Sequence, residues 1–227
     1  MKIAFLHALP FDGRIWEPQL EAFSEHETHA PTLYGFGSSF DDWALGVLQA
    51  VPGRFVAVGA SMGGYTACAI ARLAPERLEA IVLSGSRADA DAPERAPLRE
   101  EWIRIAQAEG GEGLWEAQAK KFFAPGTPEE IVERGHRIAA EQDPDGLVRA
   151  IAAIRDRPDS TEAVTGGVPL LVVAGALDPL IPPAVGEQLA AASPNGRVEI
   201  LDGCGHMPNM ERPDELNAIL ASFLASL

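Results

Sequence analysis

Cysteine is nearly absent from the 227 residues: only Cys68 and Cys204 occur. Two thiols make no disulfide framework, and no Cys/His cluster has zinc-ligand spacing, so the expectation is a reduced, cytoplasmic chain without structural metal. Cationic residues are scarce, 18 Lys and Arg against 33 Asp and Glu, for a formal net charge of −15. That charge repels phosphate backbones and anionic lipid, which argues against nucleic-acid or membrane partners. No run of 18 apolar residues is present, so no segment reads as a membrane-spanning helix. The first ten residues lack the length and cleavage site of a signal peptide. What is there, 47% hydrophobic and 22% charged, is an ordinary globular composition, neither disordered nor fibrous.

Short apolar runs alternate with helical stretches over the first 83 residues. Strands are expected at 3–6, 28–33, 55–58 and 80–83, with helices at 16–23, 40–51 and 62–73 between them. The same grammar returns with a strand at 170–174, a helix at 183–192, a strand at 198–201 and a helix at 213–224. Buried strands separated by amphipathic helices predict a parallel sheet built from crossovers. Between 87 and 167 the grammar changes to short helices, among them 98–108, 114–123, 128–140 and 146–155, punctuated by Gly and Pro. The expected organisation is a core of residues 1–86 and 167–227 carrying a helical cap of residues 87–166.

Gly59-Ala60-Ser61-Met62-Gly63-Gly64 follows the strand at 55–58 and opens the next helix. This is the setting of a nucleophile elbow, where a sharp strand-to-helix turn needs small residues two positions either side of the serine. Alone, the same residues also describe a serine helix cap with glycines in a tight turn. A serine nucleophile needs a general base, and the base needs an acid to fix its tautomer. Asp178 follows the strand at 170–174, and His206 follows the strand at 198–201. Both therefore project from the carboxyl edge of the sheet, and the order Ser, Asp, His fits this elbow. An oxyanion hole requires two backbone donors. The N–H of Met62 supplies one, and the loop after the first strand, through Leu9, is expected to supply the other.

With these residues in place, the chain resembles the α/β hydrolases, in particular their lid-bearing esterase, lactonase and haloperoxidase-like branch. The segments Arg157-Pro158-Asp159-Ser160 and His206 through Glu211-Arg212-Pro213, with Asn217 and Phe223, share the likeness, while Ala8 replaces the usual Gly of a His-Gly-x motif. The resemblance implies a cofactor-independent serine hydrolase of a small, largely apolar carboxylic ester or lactone. A C–C bond hydrolase, a cofactor-free haloperoxidase or perhydrolase, and a non-catalytic ligand-binding protein on the same scaffold are the alternatives. Relatives usually carry two strands before the oxyanion strand, so this chain is expected to form a six-stranded sheet in the order 2-1-3-4-5-6, with the strand at 28–33 an edge blunted by His26, Glu27, His29 and Pro31.

The cap aromatics Trp102, Trp115, Phe122 and Phe123, with Leu9, are the candidate substrate contacts. His7 is read as support for the oxyanion loop, and His26, His29 and His136 as surface residues. Cys204 follows no elbow and is read as packing. Gly35-Phe36-Gly37-Ser38-Ser39 has no Lys and fits no phosphate loop, so it is read as a loop near the active site.

Overall fold

The computed structural model describes all 227 residues. Six parallel strands, β1 (Lys2–Leu6), β2 (Glu27–His29), β3 (Phe55–Ala60), β4 (Leu78–Ser84), β5 (Leu170–Gly175) and β6 (Gly196–Leu201), form one sheet in the order β2-β1-β3-β4-β5-β6. Alternate residues of each strand face opposite sides. Ala4, Leu6, Ala57, Ile81 and Val172 enter one apolar cluster, while Ile3, Phe5, Val58, Val82 and Val173 enter the other. The first cluster is covered by α2 (Phe40–Ala50), α3 (Met62–Leu73) and α8 (Pro183–Ala192), the second by α1 (Glu17–Ala22) and α10 (Pro213–Leu224). The chain order reverses between β1 and β3, so a crevice opens above their carboxyl ends.

Between β4 and β5 the chain is helical only: α4 (Ala96–Phe122), α5 (Glu129–Ala140), α6 (Pro144–Asp156) and α7 (Thr161–Thr165), with α9 (Pro208–Glu211) lying later, just before α10. A straight helix of α4's 27 residues would span about 40 Å. It breaks instead at Gly110, where φ is 62° and ψ is −146°. The two helices expected here are thus one run interrupted at a glycine, and the break lets both ends face the same cavity. No helix is long and apolar enough to cross a membrane.

The strand expected at 28–33 stops at His29. Pro31 cannot donate to a ladder, and the Leu33 N–H is diverted to His7 Nε2 at 2.9 Å. Residues Leu33–Phe36 form a 3₁₀ turn instead. Pro31 therefore lies beyond the edge strand, and the edge is blunted by its three-residue length and by Glu27, which pairs with Lys2 and His29. The glycine-rich loop that follows serves α2. Asp42 accepts from the Ser38 and Ser39 N–H groups, and Ser39 caps the helix.

A residue with a Cβ is strained at Gly110, so Gly110→Ala is expected to cost about 1–3 kcal/mol. Gly35→Ala, with open space around it and ordinary φ, is the control. Urea unfolding of the two variants checks this, and equal midpoints would show that the break is not glycine-dependent.

Candidate active site

Ser61 stands between β3 and α3 with φ 47° and ψ −110°, the only non-glycine residue with positive φ. Its backbone is pinned on both sides: the Ser61 N–H donates to the Ser84 carbonyl at 2.8 Å, and the Ser86 hydroxyl donates to the Ser61 carbonyl at 2.8 Å. The flanking glycines are steric requirements. A Cβ at Gly63 would fall on the Leu6 carbonyl, and one at Gly59 on the backbone of Gly63 and Gly64.

The loops after β5 and β6 bring two more groups to the same edge. Ser61 Oγ lies 2.9 Å from His206 Nε2, and His206 Nδ1 lies 2.7 Å from Asp178 Oδ2. A carboxylate only accepts, so Nδ1 carries the proton and Nε2 is free to accept from the serine hydroxyl. Asp178 is itself held, its Oδ1 accepting from the Leu180 N–H at 2.8 Å and the Ile181 N–H at 3.0 Å. Asp178 and His206 are buried. This chain of contacts can draw a proton from a hydroxyl while keeping the imidazole in one tautomer.

Two backbone donors flank the serine. Met62 is the first residue of α3, whose opening N–H groups have no partner within the helix. Leu9 lines the cavity and its N–H finds no acceptor in the protein. Beneath Leu9 lies His7, fully buried. Its Nε2 accepts from the Leu33 N–H, which leaves Nδ1 protonated to donate to the Ala8 carbonyl at 3.1 Å. Burial holds His7 neutral, with its pKa lowered to about 4, against the opposing pull of the Ala8 carbonyl and Asp12.

Glu211 was legible in the sequence only as part of a likeness, and the structure gives it a specific place. Its carboxylate accepts from the N–H groups of Gly205 and Met207 on either side of His206, and from the Ala124 N–H at 2.8 Å. The His206 N–H in turn donates to the Phe122 carbonyl at 3.0 Å. The histidine loop is thereby fastened to the end of α4.

Ser61 and His206 open onto a cavity of about 230 Å³. Leu9, Trp102 and Phe122 line it, with Tyr65, Ile154 and Ile181. Trp115 and Phe123 do not. Trp115 stacks on His136 and packs with Phe11, Phe122 and Phe123, so these two rings join the helices to the core behind the lining. The expected apolar wall is also interrupted by Arg95, Arg99 and Lys121. Cys204 is buried beneath the histidine loop, where burial, reinforced by Glu211, pushes its thiol above the ordinary value and keeps it protonated. The loop at 35–39 contributes nothing to the lining. No group of three or more His, Cys, Asp or Glu could hold a metal ion.

The family model described as "Alpha/beta hydrolase family" matches residues 3–219. Pimeloyl-acyl-carrier-protein methyl ester esterase of Serratia marcescens is 27% identical over 99% of this chain and 94% of its own length. A thermophilic esterase from Thermogutta terrifontis, solved with malate bound, superposes with a TM-score of 0.93 at 27% identity, covering 100% of this chain and 90% of that one. The enol-lactonase of Burkholderia xenovorans gives a TM-score of 0.84 at 25% identity over 99% and 91% of the two chains.

Glu211→Gln replaces one accepting oxygen by a donor facing other donors. It is expected to lower stability by about 2–4 kcal/mol, read as a shift in denaturant midpoint; an unchanged midpoint would remove the clamp. For His7, the folded pKa of about 4 lies below the ordinary 6.5, so the unfolded chain binds more protons between these values and stability falls as pH drops through that window. The loss amounts to about 3 kcal/mol across it. His7→Gln should flatten this part of the acid dependence, measured as unfolding free energy at pH 7 and pH 4.5.

Proposed function

The chain belongs to the α/β hydrolase family, and from that premise we propose that it is a cofactor-independent serine hydrolase cleaving a small carboxylic ester or lactone through an acyl-enzyme on Ser61. The observation that carries this reading is the unbroken contact from Ser61 Oγ through His206 to Asp178, 2.9 and 2.7 Å long, at the floor of a cavity. His206 Nε2 takes the hydroxyl proton as Ser61 attacks the carbonyl carbon. Asp178 stabilises the imidazolium that forms. The N–H groups of Leu9 and Met62 receive the developing oxyanion, aided by the positive end of α3. His206 then protonates the leaving alcohol, and water attacks the acyl-enzyme by the same route in reverse.

The helical block at 87–166 acts in this reading as a lid. It walls the cavity through Arg99, Trp102, Gln118 and Phe122, excludes water from the acyl group and sets substrate choice, while the reacting groups all come from the sheet edge. The ester-hydrolysing relatives favour ester chemistry over the other reactions of the fold.

Ser61→Ala is expected to lower kcat on an activated ester by roughly 10⁴- to 10⁶-fold, His206→Ala similarly and Asp178→Asn by about 10⁴-fold, without additivity. A fluorophosphonate should label the wild type at Ser61 and leave Ser61→Ala unmodified. Wild-type turnover by Ser61→Ala would remove the nucleophile from the scheme.

A further inference from the structure

The chain is strongly acidic, yet the cavity above Ser61 is lined by three cations, Arg95, Arg99 and Lys121, and by no carboxylate. Arg95 and Lys121 make no ion pair in a protein with 33 carboxylates available. Arg99 is fixed from behind. Its Nε and Nη2 donate to Asp91 at 2.8 and 3.1 Å, and its guanidinium lies 4.6 Å from the Trp102 ring centroid. Its Nη1 has no acceptor in the protein. Asp91 also holds Arg157 at 3.0 Å, and all three side chains are at most 6% exposed. Arg157 is further met by the Asp89 and Ile154 carbonyls and the Tyr65 ring, so of the two guanidiniums that share Asp91 it is Arg99 that brings positive charge to the cavity lining.

A second observation is independent of charge. Gln118 lines the same cavity, is only 4% exposed, and its side-chain amide makes no hydrogen bond within the protein. Buried polar groups are normally paired. The break at Gly110 brings Arg95 and Arg99 at one end of α4 together with Gln118 and Lys121 at the other. Four donors thus converge on one space, with no acceptor among the charged residues around it.

We propose that the substrate cleaved at Ser61 carries an anionic group, a carboxylate or a phosphate, which Arg95, Arg99, Lys121 and Gln118 bind at the helical side of the cavity. This rests on the hydrolase reading for the bond that is broken and goes beyond it in naming the group that selects the substrate. The small volume of the cavity restricts the anion to a short chain from the scissile carbonyl. Charge-assisted hydrogen bonds from guanidinium or ammonium to such a group favour it over a neutral isostere by about tenfold or more.

The test compares matched esters: monomethyl glutarate with methyl valerate for an anion on the acyl side, 4-acetoxybutanoate with butyl acetate for one on the alcohol side, and 4-acetoxybutyl phosphate with butyl acetate for the phosphate. The expected result is that at least one anionic ester exceeds its neutral partner by about tenfold or more in kcat/KM, mainly through KM. The pair that does so identifies the side and the anion. In the double variant Arg95→Gln, Lys121→Met, whose side chains hold nothing in the fold, that advantage should shrink to about threefold or less. Neutral esters matching or beating the anionic ones in every pair would overturn the proposal, as would a preference that survives the double variant. Calorimetry on Ser61→Ala with glutarate and with butyl phosphate separates binding from turnover. Anion binding that is lost in the Arg95→Gln, Lys121→Met background supports the site even if no ester is hydrolysed, in which case the hydrolase reading alone fails.

Discussion

Ser61 sits in a backbone conformation, φ 47° and ψ −110°, that no other non-glycine residue of the chain approaches. Holding a side chain there costs about 1–3 kcal/mol, and it persists only where the surroundings over-determine it. Here they do. β3 and β4 fix the residue on one side through Ser84, Ser86 closes the carbonyl on the other, and α3 can start only because Gly63 passes directly against the Leu6 carbonyl of β1. The central three strands of the sheet are therefore part of the device that presents one hydroxyl at the carboxyl edge. The apolar clusters on both sheet faces supply the free energy that offsets the strain.

From that hydroxyl outward, polar groups are held by buried acceptors. Asp178 positions the imidazole of His206, and Glu211 positions its backbone. Glu211 also reaches Ala124, and Phe122 accepts from the His206 N–H, so the histidine loop is hydrogen-bonded directly to the end of α4. On the other side of the cavity, Asp12 accepts from Arg14 and from Gln142 at 2.9 Å, and Arg134 donates to Glu17. The loop that carries Leu9 is thus tied to α5. The helical block is fastened at both flanks of the crevice, and a block so fastened shapes the cavity as a wall.

Charge is distributed unevenly for a reason the fold makes plain. The acidic side chains lie mainly on the outer surface, where a net charge of −15 serves solubility. Where the two ends of α4 meet, Arg95, Arg99 and Lys121 line one cavity with no carboxylate among its walls. Within such a cavity nearby positive groups outweigh a distant negative surface, because water and salt screen the outer charges over a longer path.

The sequence by itself determined the parallel sheet and the expected places of Ser61, Asp178 and His206, because these follow from local signals, while the strand order followed from the family likeness. Each strand is an apolar run, each candidate residue follows a strand, and α8 and α10 begin at Pro183 and Pro213 as their sequences require. The tertiary structure alone decided the rest. Pro31 limits strand β2 locally, but only the fold brings His7 to the N–H of Leu33, 26 positions later, and turns that segment out of the sheet. Trp115 and Phe123 share composition and spacing with Trp102 and Phe122, yet they face the core joint, since the break at Gly110 sets which side of each half of α4 meets the cavity. Glu211 and the cations Arg95, Arg99 and Lys121 carry no local signal at all. Their partners, or their lack of partners, exist only once segments distant in the chain are packed together, and hydrogen bonding and desolvation depend on that packing.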